Sequence, residues 1–506
     1  MPRQRWLGFL FVALPAALEW TQLRGVEGGE FLLITDIHLD LTYDGSLSSD
    51  CKCEARYDTS GTCGAASRQN AYGQYRCDAS ELLVDSALAA AAAALPNPAF
   101  VVFGGDYMRH SSTSEQETLQ GVEAVTGLMA KHFPREFGAT DSAGSSLVAS
   151  VLGNADFFPD YELDVGNDGD AGRALAKVNP VLARVGRVWL RGGQALAAQA
   201  NASFVRGGYY ATSPLPGLVI ACLNTVVYSV ALTPGLSAAQ AGDGGDPLGQ
   251  WAWLEATLAG AEGAGQAVWL VGHVPPCVEA FHFAPLWHEA HAARYTALLA
   301  RFGGTVKAQF FGHTHTDEFR VMTTTSSEGA SEGAFAFGAG VEDAWFTGTG
   351  TPMLLVGAIS PVYDSNPSFR SVAFDDETFE VTDWTVHAAS LAAADGGDSA
   401  GGLMWSELYS LRRDLGMASA SSAEFLALAG RLLRGALDAE PDAAEARQWR
   451  RWMTFFHADC ANSLQGGASS AASGRVGDCY GPDDCDAACR RMHLCALLHG
   501  QVKQSC

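Results

Sequence analysis

Five stretches of the sequence close on side chains that a hard or borderline cation would take. They are Asp36-Ile37-His38, Gly104-Gly105-Asp106, Gly153-Asn154-Ala155-Asp156, Gly272-His273 and Gly312-His313-Thr314-His315. Seven of these residues, Asp36, His38, Asp106, Asn154, His273, His313 and His315, offer nitrogen or oxygen donors only. Carboxylate, amide and imidazole together suit zinc, iron or manganese, and the set is large enough for two ions. Two ions about 3.5–4 Å apart lower the pKa of a water between them and draw charge from a phosphoryl group. One D-x-H is commonplace; five such clusters in order, each behind an apolar run, form a site by juxtaposition.

Those apolar runs are the elements that must position the donors. Phe31–Thr35, Phe100–Phe103, Leu147–Leu152, Ala267–Val271 and Val306–Phe311 read as strands, and Leu218–Leu223 is a sixth. Glu81–Leu95, Glu117–His132, Trp251–Leu258 and Ala290–Arg301 have helical composition. The alternation predicts an α/β fold. In such sheets ligands bind beyond the carboxyl ends of strands, where glycine lets the backbone turn tightly and approach an ion. Thr323–Gly350, dominated by Ser, Thr, Gly and Ala, reads as a long flexible insertion, and Leu391–Gly402 as a linker. Beyond it Trp405–Leu415, Ala423–Leu437 and Ala443–Phe456 read as amphipathic helices. The expected division is a catalytic domain over residues 26–394 and a small helical, disulfide-containing module over 395–506.

Composition narrows the partners. Lys and Arg total 32 against 56 Asp and Glu in 506 residues, a net charge of −24, which repels polyphosphate backbones and excludes a nucleic-acid polymer as partner. A small phosphorylated substrate would need a local cation to enter, which again points to metal. A monomer is expected. Arg3 and Arg5 precede the short apolar run Trp6–Leu18, the form of a secretory signal over residues 1–24 and too short for a transmembrane anchor. The expected location is therefore secreted or lysosomal. Cysteine use agrees: Cys51, Cys53, Cys63 and Cys77 cluster near the start and Cys460, Cys479, Cys485, Cys489, Cys495 and Cys506 near the end, as disulfide staples would. Cys222 and Cys277 each sit at or just past the end of a strand and could pair with each other. Asn201-Ala202-Ser203 is a glycosylation sequon, so Asn201 is expected to carry glycan.

In this order, the motifs resemble the calcineurin-like metallophosphoesterase superfamily: D-x-H, G-D, G-N-H-D/E, a lone His and G-H-x-H. Ile34–Asp40, Gly207-Gly208-Tyr209-Tyr210, Leu223-Asn224-Thr225, His273-Val274-Pro275 and Phe310–Asp317 bring the likeness closer to the acid sphingomyelinase branch, as does the spacing Cys485-x3-Cys489-x5-Cys495-x10-Cys506. Few residues separate the expected signal from the first strand, leaving no room for a saposin-like domain. The chain therefore looks more like the acid sphingomyelinase-like phosphodiesterases. The resemblance implies a four-layer αββα sandwich and two divalent ions, zinc by preference. One ion would be held by Asp36, His38, Asp106 and His315, the other by Asp106, Asn154, His273 and His313, with Asp106 bridging. It implies hydrolysis of phosphodiester or phosphoanhydride bonds by a hydroxide bridging the metals, on nucleotides or phosphocholine-type compounds. It also implies Cys485 with Cys489 and Cys495 with Cys506; proximity adds Cys460 with Cys479.

The chain departs from that pattern at Ala155, where the family has a His near the leaving group. A positioned general acid contributes about 10²–10⁴-fold. His110, four residues after Asp106, matches a second active-site His of the branch and is the expected proton donor. The rivals are a metal-binding pseudoenzyme and a polyphosphate or phosphomonoester hydrolase. His288 and His291 stand three apart, where a zinc-protease pair needs four, and read as a solvated helix face. His282, in the loop after His273, is a lesser candidate for the pocket lining.

Overall fold

The strand behind Asp36 and His38, β1 (Gly29–Ile34), lies inside a six-stranded sheet. The computed structural model describes residues 28–57, 64, 70–138, 147–165, 180–191, 198–280, 284–321, 351–391, 402–437 and 444–458, with 485, 489–490, 493 and 497. On one side of β1 run β2 (Val101–Phe103) and β3 (Val148–Ser150), both parallel to it in register Leu32–Val101–Val148. On the other side β10 (Ser368–Phe374), β11 (Val381–Ala389) and β12 (Trp405–Ser410) continue the sheet antiparallel. The second sheet has the order β4 (Tyr210–Leu215), β5 (Leu218–Cys222), β6 (Ala267–Val271), β7 (Val306–Phe311), β9 (Met353–Leu355), β8 (Glu318–Arg320). Its four central strands are parallel and its two outer pairings antiparallel. Strands such as β6 are buried along their whole length. That is why they read as unbroken apolar runs with no alternation.

Aromatic rings join the two sheets. Phe31 of β1 lies 4.9 Å, centroid to centroid, from Trp269 of β6 and 5.6 Å from Phe310 of β7. Phe374 of β10 meets Trp269 edge-on at 5.3 Å. Offset and edge-on rings fill the intersheet space at native density and hold the two sheets in one orientation. Helices flank the pair, with Glu81–Ala94 against β10 and Gln250–Ala264 against β5 and β6. Their starts are set by local chemistry: Ser80 Oγ accepts the Leu83 N–H at 3.1 Å and Ser114 Oγ the Glu117 N–H at 3.2 Å.

Three expectations are corrected. Trp405–Leu415 is not one helix: β12 extends the first sheet along the open edge of β11, and only Leu411–Leu415 is helical. Ser410 marks the switch, its Oγ accepting the Arg413 N–H at 3.3 Å. Cys222 and Cys277 are buried and unbridged, since Cys222 faces Tyr210 while Cys277 faces Arg320. His291 is buried rather than solvated, and its Nδ1 accepts the Trp251 indole N–H at 3.0 Å.

Helices Ser422–Leu437 and Ala444–Phe456 pack on each other. Disulfides join Cys53 to Cys77 and Cys485 to Cys489, and Cys51 is also disulfide-bonded. Asn201 lies half-buried on helix Ala198–Gly207. The expected signal, the insertion, the 395 boundary, His282, Cys63, Cys460, Cys479, Cys495 and Cys506 lie outside the described residues.

Candidate metal centre

Parallel strands aim their carboxyl ends one way, so β1, β2 and β3 of one sheet and β6 and β7 of the other deliver their loops to a common edge. Asp36 and His38 follow β1, Asp106 follows β2, Asn154 follows β3, His273 follows β6, and His313 and His315 follow β7. Five of the seven have left-handed backbones: φ is 50° at Asp36, 46° at His38, 55° at Asp106, 74° at His313 and 58° at His315. Such a conformation costs a non-glycine residue about 1–2 kcal/mol, and persists where the surrounding structure over-determines it. Here the loops are fixed by backbone bonds, Asp36 N–H to Gly105 O at 3.0 Å and His38 N–H to Asp106 O at 2.9 Å. Glycine is required beside them. A Cβ on Gly153 would collide with Asp106 Oδ1, and one on Gly312 with Thr35 Oγ1 and Asp36 Oδ2.

The donors converge. Asp106 Oδ2 stands 3.3 Å from His38 Nε2 and 3.1 Å from His273 Nε2. Asp36 Oδ1 is 3.3 Å from His315 Nε2 and 3.9 Å from both His38 and His273 Nε2. Ligand atoms of Asp36, His38 and Asp106 lie within 4.8 Å of one another, and those of Asp106, His273 and His313 do the same. Asp106 belongs to both groups. Its other oxygen accepts the Ala155 N–H at 2.8 Å, which ties the Asn154 loop to the centre.

These residues fit a pair of cations. His38 Nδ1 lies 3.0 Å from Met108 O and His273 Nδ1 2.8 Å from Gly104 O. A carbonyl oxygen only accepts, so each Nδ1 holds the hydrogen and each ring aims its Nε2 at the site. Asn154 Oδ1 is buried with no hydrogen-bond partner among the described residues, an oxygen that a cation would satisfy. Burial lowers His38 to about 4, with His110 adding to it, lowers His313 to about 3, and takes His315 well below the ordinary range. Those three rings are neutral donors. Burial also pushes Asp36 up, to about 6, while at Asp106 burial is outweighed by His273 and His38, which hold it well below the usual carboxylate range. His273 is the one ligand ring raised, to about 9, since Asp106 and Asp36 outweigh its burial. Two carboxylates thus hold positive charge on a buried ring, the place of a cation.

His110 sits beside this cluster, its ring stacked 3.9 Å from that of His38. Two partners set its orientation. Its Nδ1 lies 2.9 Å from Asp78 Oδ1, and its backbone N–H donates to Asp78 Oδ2 at 2.9 Å. Tyr363 OH lies 3.5 Å from its Nε2. Burial lowers the ring, but Asp78 reverses this and raises it to about 9. Sequence reasoning missed Asp78 and Tyr363, which belong to no motif and lie 32 and 253 residues away. It noted Asp156 without a role. That carboxylate accepts the N–H groups of Asp106, Tyr107 and Gly153 at 2.8–3.0 Å, holding two ligand loops together.

Known proteins are similar to this chain. The family model described as calcineurin-like phosphoesterase matches residues 29–317. Sphingomyelinase phosphodiesterase D of Dictyostelium discoideum is 27% identical over 67% of this chain, an overlap spanning 66% of that protein. Human acid sphingomyelinase-like phosphodiesterase 3b is 26% identical over 93% of this chain and 88% of its own length. Human cyclic GMP-AMP phosphodiesterase SMPDL3A is 21% identical over 93% and 88%.

Proposed function

Because the chain belongs to the calcineurin-like phosphoesterase family, we propose that it is an exported, monomeric phosphodiesterase that uses two divalent ions, zinc by preference, to cleave phosphodiester or phosphoanhydride bonds of small substrates. The observation that carries this reading is Asp106, whose carboxylate lies within reach of both ligand groups. A carboxylate between two cations offsets their repulsion. When bound, the ions supply Lewis acidity and a nucleophile at near-neutral pH. The chain's own residues do the rest. Asp36, His38, Asp106 and His315 would hold one ion, and Asp106, Asn154, His273 and His313 the other. His110, oriented by Asp78, holds a proton at Nε2 for the leaving oxygen. The relatives are named for sphingomyelin and cyclic GMP-AMP, so phosphocholine-type compounds and nucleotides are the substrate classes proposed here.

Ala155 favours a second reading, a metal-holding protein that binds phosphate ligands with little turnover. A panel of aryl diester, aryl monoester and dinucleotide substrates, run across pH on protein of known metal content, separates the two. Metal-dependent turnover with diester preference supports the first reading. Two bound metals with no turnover supports the second, and monoester preference would replace both with a phosphomonoesterase.

A further inference from the structure

His110 and both of its chain neighbours are held by side chains from elsewhere. Asp78 takes His110 itself, accepting its backbone N–H at 2.9 Å and facing its Nδ1 at 2.9 Å. Glu54 Oε2 lies 3.1 Å from Nη1 of Arg109, the residue before. Arg56 Nη1 donates to the carbonyl of Ser111, the residue after, at 2.7 Å, and its Nη2 donates to Glu54 Oε1 at 3.2 Å. These side chains come from two segments, and one disulfide joins them. Cys53 directly precedes Glu54, Cys77 directly precedes Asp78, and both cysteines are buried. Lys52 and Cys53 are left-handed, at φ 50° and 57°, so the turn into Glu54 is one that such residues keep only where their surroundings impose it. On the other side of the bridge the Ala79 N–H donates to His38 O at 3.0 Å, which lays Asp78 along a metal-ligand loop.

Resting on the phosphoesterase reading, we infer that the Cys53–Cys77 disulfide, together with Arg56, is a positioning element for His110, locking the segments that bear Glu54 and Asp78 so that the ring keeps one orientation against His38. A proton donor serves only an atom within hydrogen-bond reach, so a donor free to swing is a weaker one. No metal-ligand residue lies on either segment, and loosening the clamp therefore moves the acid and spares the ions. The segments have other ties, Tyr43 OH to Asn70 O at 2.7 Å and Gln74 Nε2 to Leu47 O at 3.0 Å. A chain without the bridge keeps those bonds and loses only the fixed link.

The experiment compares wild type, the double variant Cys53→Ala/Cys77→Ala and Arg56→Met, all zinc-loaded and checked for equal metal content. Rates are measured on an alkyl and an aryl phosphodiester. The His110 Nδ1 proton shared with Asp78 is followed by NMR, with Asp78→Asn identifying its signal. Without the bridge, kcat on the alkyl ester is expected to fall about tenfold, while the aryl ester, whose leaving group departs with less protonation, changes by less than about twofold. The Nδ1 proton signal is expected to shift or broaden. Arg56→Met is expected to show the same split with a smaller loss. Equal loss on both esters, or no loss on either, would overturn the inference. If the bridgeless chain fails to fold or to hold metal, Arg56→Met decides, and the absence of a split there overturns it. If wild type cleaves neither ester, the phosphodiesterase reading falls by itself and the NMR signal decides the clamp. An unchanged signal in the bridgeless chain then overturns the inference, and a shifted or broadened one supports it.

Discussion

His38 and His315, both buried, bring their Nε2 atoms to 3.1 Å of each other. With His38 Nδ1 committed to Met108 O, a shared cation lets both rings point lone pairs inward. Chelation should therefore destabilise the fold as well as silence it. A ligand at a thousandfold excess over its Kd contributes about 4 kcal/mol, and for a chain of this length we expect Tm to fall by roughly 4 °C per ion removed with chelator and to recover with zinc. Calorimetry with and without chelator measures this. An unchanged Tm would mean that nothing binds there.

Restoring the family's imidazole should raise turnover. Ala155→His is expected to speed aryl phosphodiester cleavage by about 10- to 100-fold, within the range of a positioned acid. No gain would show that this position does not limit the rate.

Asp78 acts through His110. Asp78→Asn is expected to leave metal content intact while lowering kcat by about 10²-fold, and to do so more for alkyl than for aryl leaving groups, which depart with less protonation. Rates on the two ester types, with metal analysis of both proteins, test this. Equal loss on both would make Asp78 a structural residue only.

Acid should weaken the tail. His457 is buried against Ser365, its Nδ1 2.9 Å from Ser365 Oγ, and burial lowers its pKa from the ordinary 6.5 to about 4. The folded ring therefore stays neutral while the unfolded ring takes a proton. Stability is full above pH 6.5 and declines as pH falls towards 4, by an upper limit of about 3 kcal/mol for this group. His493, lowered to about 3 by burial, acts in the same direction. His457→Gln should flatten the Tm-against-pH curve between 6.5 and 4; an equally steep curve would place the acid sensitivity elsewhere.

Much of this was legible in the sequence because strand ends carry their own punctuation. Ala267–Val271 and Val306–Phe311 match the observed strands residue for residue: the first is a plain apolar run, the second mostly apolar around Lys307 and Gln309, and glycine follows each. The same glycines marked the metal edge, and the clash that a Cβ at Gly312 would make explains why. What could not be read depends on tertiary neighbours. Trp405–Ser410 carries an amphipathic pattern that suits a helix until β11 offers an open edge. Asp78 is one acid among many until the fold lays it under His110.

The most direct test is the metal content of the purified chain beside that of Asp106→Asn, measured by elemental analysis after dialysis. Two transition-metal ions per wild-type chain, falling to one or none in the variant with diester cleavage lost, is the predicted result. A wild-type chain that carries no transition metal and takes up none when zinc is supplied would contradict the account.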